Sequence, residues 1–264
     1  MSELPEVPRP RIILLGASNL TLGFPLIVNS LRHGFPGPLE IIAAHGHGRS
    51  FGMCSKILFR SLPGITQSQL LPHLQDVADA GRPSYVLVTD IGNDILYGAA
   101  PDTIAEWLDV CLRQLCVAGT QAVMTQLPLE SAQSLSPTRF NVARRLFFPN
   151  STLTLDEVLE SAAALSESVS QLAERYKTTL FEPPSHWYGL DPIHIRHSLR
   201  APAWSAILND WSSEEGGFPM RPTSLLRSLR LWSARPVDYW SRNRPRSQLQ
   251  PVCRFGDGTT VTLY

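Results

Sequence analysis

Residues 11–19 read Arg-Ile-Ile-Leu-Leu-Gly-Ala-Ser-Asn. A short unbroken apolar run closed by glycine suits a strand buried on both faces of a parallel sheet. A helical pattern, Leu22–Leu31, follows at once. The same rhythm recurs at Leu39–Ala44 (LEIIAA), Ser84–Thr89 (SYVLVT) and Gln121–Gln126 (QAVMTQ), and more weakly at Thr178–Phe181. Helical patterns separate these runs. The stretch Ser55–Ala80 is expected to hold at least one helix. Thr103–Val117 repeats apolar residues with a period near 3.6, with Asp102 expected as N-cap. Leu155–Tyr176 is an expected long helix starting near Thr154 or Asp156. Strands alternating with helices give βαβ units and a three-layer α/β/α sandwich on a mainly parallel, five-stranded sheet.

Composition narrows the function. The 264 residues carry 23 basic and 23 acidic side chains, 43% hydrophobic content and no net charge. A core of ordinary size is affordable, and disorder is excluded. Neutrality argues against nucleic acid or an anionic membrane as partner. The acidic, proline-containing start MSELPEVPRPRIILL lacks a secretory pattern, and no run nears the roughly 18 apolar residues of a membrane span. The expectation is a cytoplasmic protein with four reduced thiols, Cys54, Cys111, Cys116 and Cys253. Oligomeric state is not legible.

Four features fall at or after the C-terminal ends of predicted strands, where an open α/β sheet forms its crevice. Gly16-Ala17-Ser18-Asn19 places a serine at a strand-to-helix turn, where Ser18 or Asn19 serves as nucleophile-bearing turn or as plain helix cap. His45-Gly46-His47-Gly48-Arg49-Ser50 offers glycine N–H groups to an oxyanion, and His45-x-His47 reads alternatively as half a metal site. Asp90-Ile91-Gly92-Asn93-Asp94 presents the Asn93 amide, or a simple turn. Asp191-Pro192-Ile193-His194 sets an acid where it can orient an imidazole. Together they supply a nucleophile, a base with its acid, and oxyanion donors: an acyl-transfer site.

Two stretches stand apart. Glu130–Asn150 mixes Arg139, Arg144 and Arg145 with Phe140, Phe147 and Phe148, and reads as a substrate-facing cap or a basic surface helix. Residues 216–264 form an Arg-, Pro- and Trp-rich extension beyond a domain of residues 1–215. It ends in an expected hairpin at Gly256-Asp257-Gly258. Residues 201–264 hold eight arginines against five acids. That reads as an appendix packed on the sheet or a basic contact patch.

The four blocks, in this order, resemble the SGNH/GDSL hydrolase family in a divergent, GxSN-type form. The resemblance spans roughly residues 11–211 and implies a flavodoxin-like sheet. It implies Ser18 as nucleophile, His194 as base and Asp191 as its acid. It also implies an oxyanion hole of Ser18 N–H, Gly48 N–H and the Asn93 amide. Ala17 replaces the Asp of the GDS block, and Ile91 stands where the third block usually has glycine. The implied activity is hydrolysis of a small-molecule or carbohydrate ester, O-acetyl or short acyl, without cofactor or metal. Asn19, Trp187 and Tyr188 are further substrate-binding candidates. A non-catalytic ligand-binding member of the same fold is the second reading. A metal-dependent hydrolase using His45, His47, Asp191, His194 and His197 is the third.

Overall fold

The computed structural model describes residues 9–57, 59–76, 82–189, 191–212 and 216–264. The chain starts with β1 (Arg11–Leu15), α1 (Ser18–Gly34) and β2 (Glu40–Ala44). A short hairpin, β3 (Ser55–Ile57) and β4 (Arg60–Leu62), precedes α2 (Leu70–Asp76). Next come β5 (Ser84–Val88), α3 (Asn93–Leu96), α4 (Pro101–Leu115) and β6 (Thr120–Thr125). Two helices, α5 (Leu129–Gln133) and α6 (Pro137–Phe147), then lead to α7 (Leu155–Tyr176) and β7 (Thr179–Phe181). The chain closes with α8 (Arg200–Ile207), α9 (Leu225–Ser233), β8 (Asp238–Ser241), β9 (Arg244–Ser247), β10 (Cys253–Arg254) and β11 (Thr260–Leu263). Residues 77–80 of the expected helical stretch lie outside the described residues.

The five expected strands are present and run parallel in the order β2-β1-β5-β6-β7. This is the doubly wound order, with the switch point between β1 and β5. Two further strands, from the C-terminal stretch, bring the sheet to seven. β11 pairs parallel with β2, and β10 folds back antiparallel on β11 through the expected hairpin. The other C-terminal hairpin, β8–β9, pairs through β4 with β3 in a second, four-stranded sheet. The stretch 216–264 therefore contributes to both sheets. Isolated short strands of this kind carry little local signal, because a pairing partner can lie 220 positions away, as Glu40 does from Thr260.

β1 shows why both faces are apolar. Ile12 and Leu14 pack with Phe24, Ile27 and Trp204 on one side. Ile13 and Leu15 pack with Ile104, Leu108 and Val169 on the other. All of these are buried. Helix α1 lies close against α8 because residue 23 is glycine: a Cβ there would stand 2.2 Å from Trp204 Nε1. The long helix α7 starts where its sequence predicts, with Thr154 and Glu157 forming a reciprocal capping box. Helix α4 corrects one expectation. Ala100, not Asp102, is its N-cap, and Pro101 occupies the first turn, where its missing N–H costs nothing. Cys111 and Cys253 are buried, Cys116 half-buried and Cys54 exposed, all as free thiols.

Candidate functional site

The site is built at the C-terminal ends of β1, β2 and β5. Ser18 is the first residue of α1, and its backbone N–H faces out of the helix start. The serine is buried, and among the described residues neither its hydroxyl nor its N–H bonds to protein. Ala17, the N-cap, has no side chain able to cap. Asp90 does this from the end of β5: its Oδ2 accepts from Ala17 N–H (2.9 Å) and Leu20 N–H (3.1 Å). An acid from a neighbouring strand thus fills the place of a capping side chain. Asp90 itself sits at φ 60°, a left-handed conformation that Asp tolerates better than most residues.

Asn19 joins the first block to the fourth. Its Nδ2 donates to Asp90 Oδ1 (2.8 Å) and to Ile193 carbonyl oxygen (2.9 Å). Its Oδ1 accepts from Ile195 N–H (2.9 Å). The residue after Ser18 therefore grips the backbone on both sides of His194. The amide of Asn19, expected from sequence as a substrate-binding candidate, is engaged by these three protein partners, and the residue also lines the cavity described below. Trp187 and Tyr188 are buried and pack in the core on the α1 side of the sheet, while also lining the cavity described below.

His194 Nδ1 pairs with Asp191 Oδ2 at 2.6 Å, and Asp191 Oδ1 accepts from the N–H groups of Ile193 (3.0 Å) and His194 (3.2 Å). Burial pushes the Asp191 carboxyl up. The His194 ring and the two N–H donors outweigh it and hold the group below its ordinary range. The carboxylate stays ionised, fixing the imidazole with Nε2 free. The Phe147 ring stands edge-on to His194, centroids 5.3 Å apart, so α6 reaches over the base.

The second and third blocks are locked together. Gly48 has φ 60°, and a Cβ there would lie 2.8 Å from both Ile57 Cδ1 and Tyr97 Oη. Tyr97 Oη donates to Gly48 carbonyl oxygen (2.5 Å). Separately, the Gly48 N–H has no protein acceptor among the described residues. Ser50 Oγ donates to Asp94 Oδ1, and Phe51 N–H donates to Asp94 Oδ2 (3.0 Å). Asn93, one residue away, is buried, and among the described residues its Nδ2 has no hydrogen-bond partner. A buried donor left open is costly, typically about 1–3 kcal/mol, and such groups mark places awaiting an acceptor.

Asp94 carries a pH signature. Burial raises its pKa to about 6, against the pull of Phe51 N–H and the Ser50 hydroxyl. The folded state then binds a proton more readily than the unfolded chain. Its stabilising contribution is full below about pH 4 and is lost as pH rises through 6. Asp94→Asn is expected to flatten this part of the stability profile, by about 1–3 kcal/mol. Denaturant midpoints at pH 4 and pH 7 check it; equal slopes in both proteins would place the titration elsewhere.

The histidines of the second block are not arranged for metal. His45 is driven down to about 3 by burial, then by Arg49, Arg60 and His47. It is neutral, its Nδ1 3.0 Å from Thr21 Oγ1, whose hydroxyl donates to Ala17 carbonyl oxygen. The exposed His47 is lowered by burial of its ring and by Arg60 and His194, which Asp90 opposes. Among the described residues no three His, Cys, Asp or Glu side chains are placed to share a metal ion. The set His45, His47, Asp191, His194 and His197 is thus not brought together.

Beside Asn19, Asp90 and Asn93 lies a cavity of about 150 Å³. Asn19, Asp90 and Asn93 form one wall; Ile91, Leu127, Phe140, Phe148 and Trp187 are among the apolar residues of the others. Ser18 and His194 stand outside it. The Phe140–Phe148 stretch covers it, so the mixed segment acts as a cap over a pocket. Neither this cavity nor the Asp90 cap was legible locally. The cavity needs residues from several separate elements, and the cap needs β5 beside the start of α1.

No family model matches the sequence, and no curated protein matches it. Solved structures similar to the chain include TesA, at 17% identity over 73% of this chain and 93% of that one, with a TM-score of 0.43. The psychrotrophic esterase EstA from Pseudoalteromonas sp. is 13% identical over 72% of this chain and 90% of its own, TM-score 0.43. AlinE4, an SGNH-hydrolase family esterase, is 18% identical over 66% and 77%, TM-score 0.37. Among the described residues no helix is long and apolar enough to cross a membrane.

Proposed function

We propose that the chain is a serine esterase of the SGNH/GDSL type, acting through Ser18, His194 and Asp191. One observation carries the reading: Asn19, next to Ser18, hydrogen-bonds the backbone on both sides of His194. This ties the Ser18 turn to the His194 loop although 176 positions separate the two residues. His194 Nε2 takes the Ser18 hydroxyl proton as Oγ attacks the ester carbonyl. Asp191 stabilises the imidazolium. The N–H groups of Ser18 and Gly48 and the open Asn93 amide receive the oxyanion. His194 returns the proton to the leaving alcohol. It then activates the water that cleaves the acyl-enzyme.

The cavity indicates the acyl group. A space near 150 Å³ takes something about the size of a benzene ring. A short acyl chain of about four to six carbons fits; a long fatty chain does not. The alcohol is a small molecule or sugar. On a panel of acetyl to dodecanoyl esters, kcat/KM is expected to peak at butanoyl or hexanoyl. Ala143→Leu, which narrows the cavity, is expected to move that optimum to acetyl by about tenfold, since one or two methylenes contribute about 1–3 kcal/mol of discrimination. An unchanged acyl profile in the variant would remove the cavity from the substrate site. Covalent labelling by a fluorophosphonate tests the nucleophile. Ester binding without turnover by unlabelled protein would favour the non-catalytic reading.

A further inference from the structure

The outer face of α9 is apolar and faces solvent. Leu225, Leu226, Leu229 and Trp232 fall at i, i+1, i+4 and i+7, one side of the helix. They are 70%, 80%, 51% and 47% exposed, while Leu231 on the opposite side is buried in the core. The helix packs on α1 through that inner side, which leaves the outer one uncovered. Leu249, 93% exposed, belongs to the same surface. Its neighbours Gln248 and Gln250 bond to Arg235, just past the end of α9: Arg235 N–H donates to Gln248 Oε1 (2.9 Å), and Gln250 Nε2 donates to Arg235 carbonyl oxygen (3.2 Å). The hairpin β8–β9 rises from this same base.

The segment that carries this face is charged almost entirely with one sign. Residues 216–254 contain eight arginines, no lysine and one acid, Asp238. Asp238 is engaged by Gln69 Nε2. Arg221, Arg227, Arg230, Arg242, Arg244, Arg246 and Arg254 are exposed, and none forms an ion pair among the described residues. The rest of the chain carries the compensating negative charge, which is why the net charge of zero hid this.

From these observations we propose that α9 and the β8–β9 hairpin form a surface for peripheral docking on an anionic lipid bilayer. Leucines and a tryptophan enter the headgroup boundary, and the arginines meet the lipid phosphates. The occupant follows from charge. A second copy would bring the same uncompensated arginines face to face, and like charges repel. An exposed apolar face on a segment rich in exposed, unpaired cations matches an anionic, apolar-cored partner. The proposal is independent of the esterase reading. It revises the expectation that a neutral protein has no membrane partner.

The experiment is sedimentation of the full chain with vesicles. Vesicles of phosphatidylcholine containing about a third phosphatidylglycerol are compared with phosphatidylcholine alone. At low salt the bound fraction is expected to rise about tenfold on the anionic vesicles and to fall back at high salt. The double variant Leu226→Glu/Leu229→Glu is expected to lose this binding with its thermal unfolding unchanged, because both side chains lie in solvent. Arg244→Glu/Arg246→Glu is expected to weaken it several-fold at low salt only. Equal binding to both vesicle types, binding kept by the leucine variant, or no binding would each overturn the proposal. So would a concentration-dependent dimer abolished by the leucine variant, which would assign the face to a second copy.

Discussion

Ser18→Ala is expected to lower kcat for any ester the protein turns over by on the order of 10⁶-fold, while the fold stays intact. The size follows from chemistry: without Oγ no acyl-enzyme forms, and His194 and Asp191 have no nucleophile to activate. The residual rate comes from binding and oxyanion stabilisation acting on water. The unchanged fold follows from structure. Among the described residues the Ser18 hydroxyl makes no protein hydrogen bond, and alanine suits the first turn of a helix. Initial rates on a butanoyl ester and circular dichroism read both effects. Fluorophosphonate labelling should disappear with the activity. Labelling that persists at full strength in the variant would remove Ser18 as the nucleophile.

Asn93→Ala is expected to reduce kcat by about 10²–10³, with KM little changed. The Nδ2 donor is buried and without a partner. It therefore gains its acceptor only when the carbonyl oxygen becomes an oxyanion, so its loss falls on the transition state. Stability is expected to move the other way. Removing a buried, unsatisfied donor relieves a penalty of about 1–3 kcal/mol, less the small packing loss. A purely structural asparagine would show destabilisation together with any loss of rate. Urea unfolding beside steady-state kinetics separates the two. A variant that is both slower and less stable would sink the oxyanion role.

Part of the site's geometry lies in roles that the sequence does not assign. Asp90 drew notice only as part of a turn. In the structure it caps α1 in place of the side chain that Ala17 lacks. Asn19, a substrate-binding candidate from sequence, also binds the His194 loop to the serine turn. No local pattern separates these roles, because each depends on which strand lies beside β1. The parallel neighbour of β1 on that side is β5, 73 positions further along. That adjacency brings the Asp90 carboxylate to the Ala17 N–H.

By itself the sequence determined the alternation of strands and helices, the five central strands within a residue or so, and four chemistry-bearing blocks at strand ends. These are legible because burial on both sheet faces imposes continuous apolar runs, and because glycine turns punctuate them locally. Tertiary structure alone decided the rest. It extended the sheet to seven strands with pieces from the C-terminus, since pairing partners are chosen by packing and not by neighbours in the chain. It left Asn93 Nδ2 buried and open, separated His45 and His47 from any metal set, and hollowed the apolar cavity under α6. It also turned the leucines of α9 outward. An amphipathic helix has two faces, and only its docking on α1 settled which one meets the solvent.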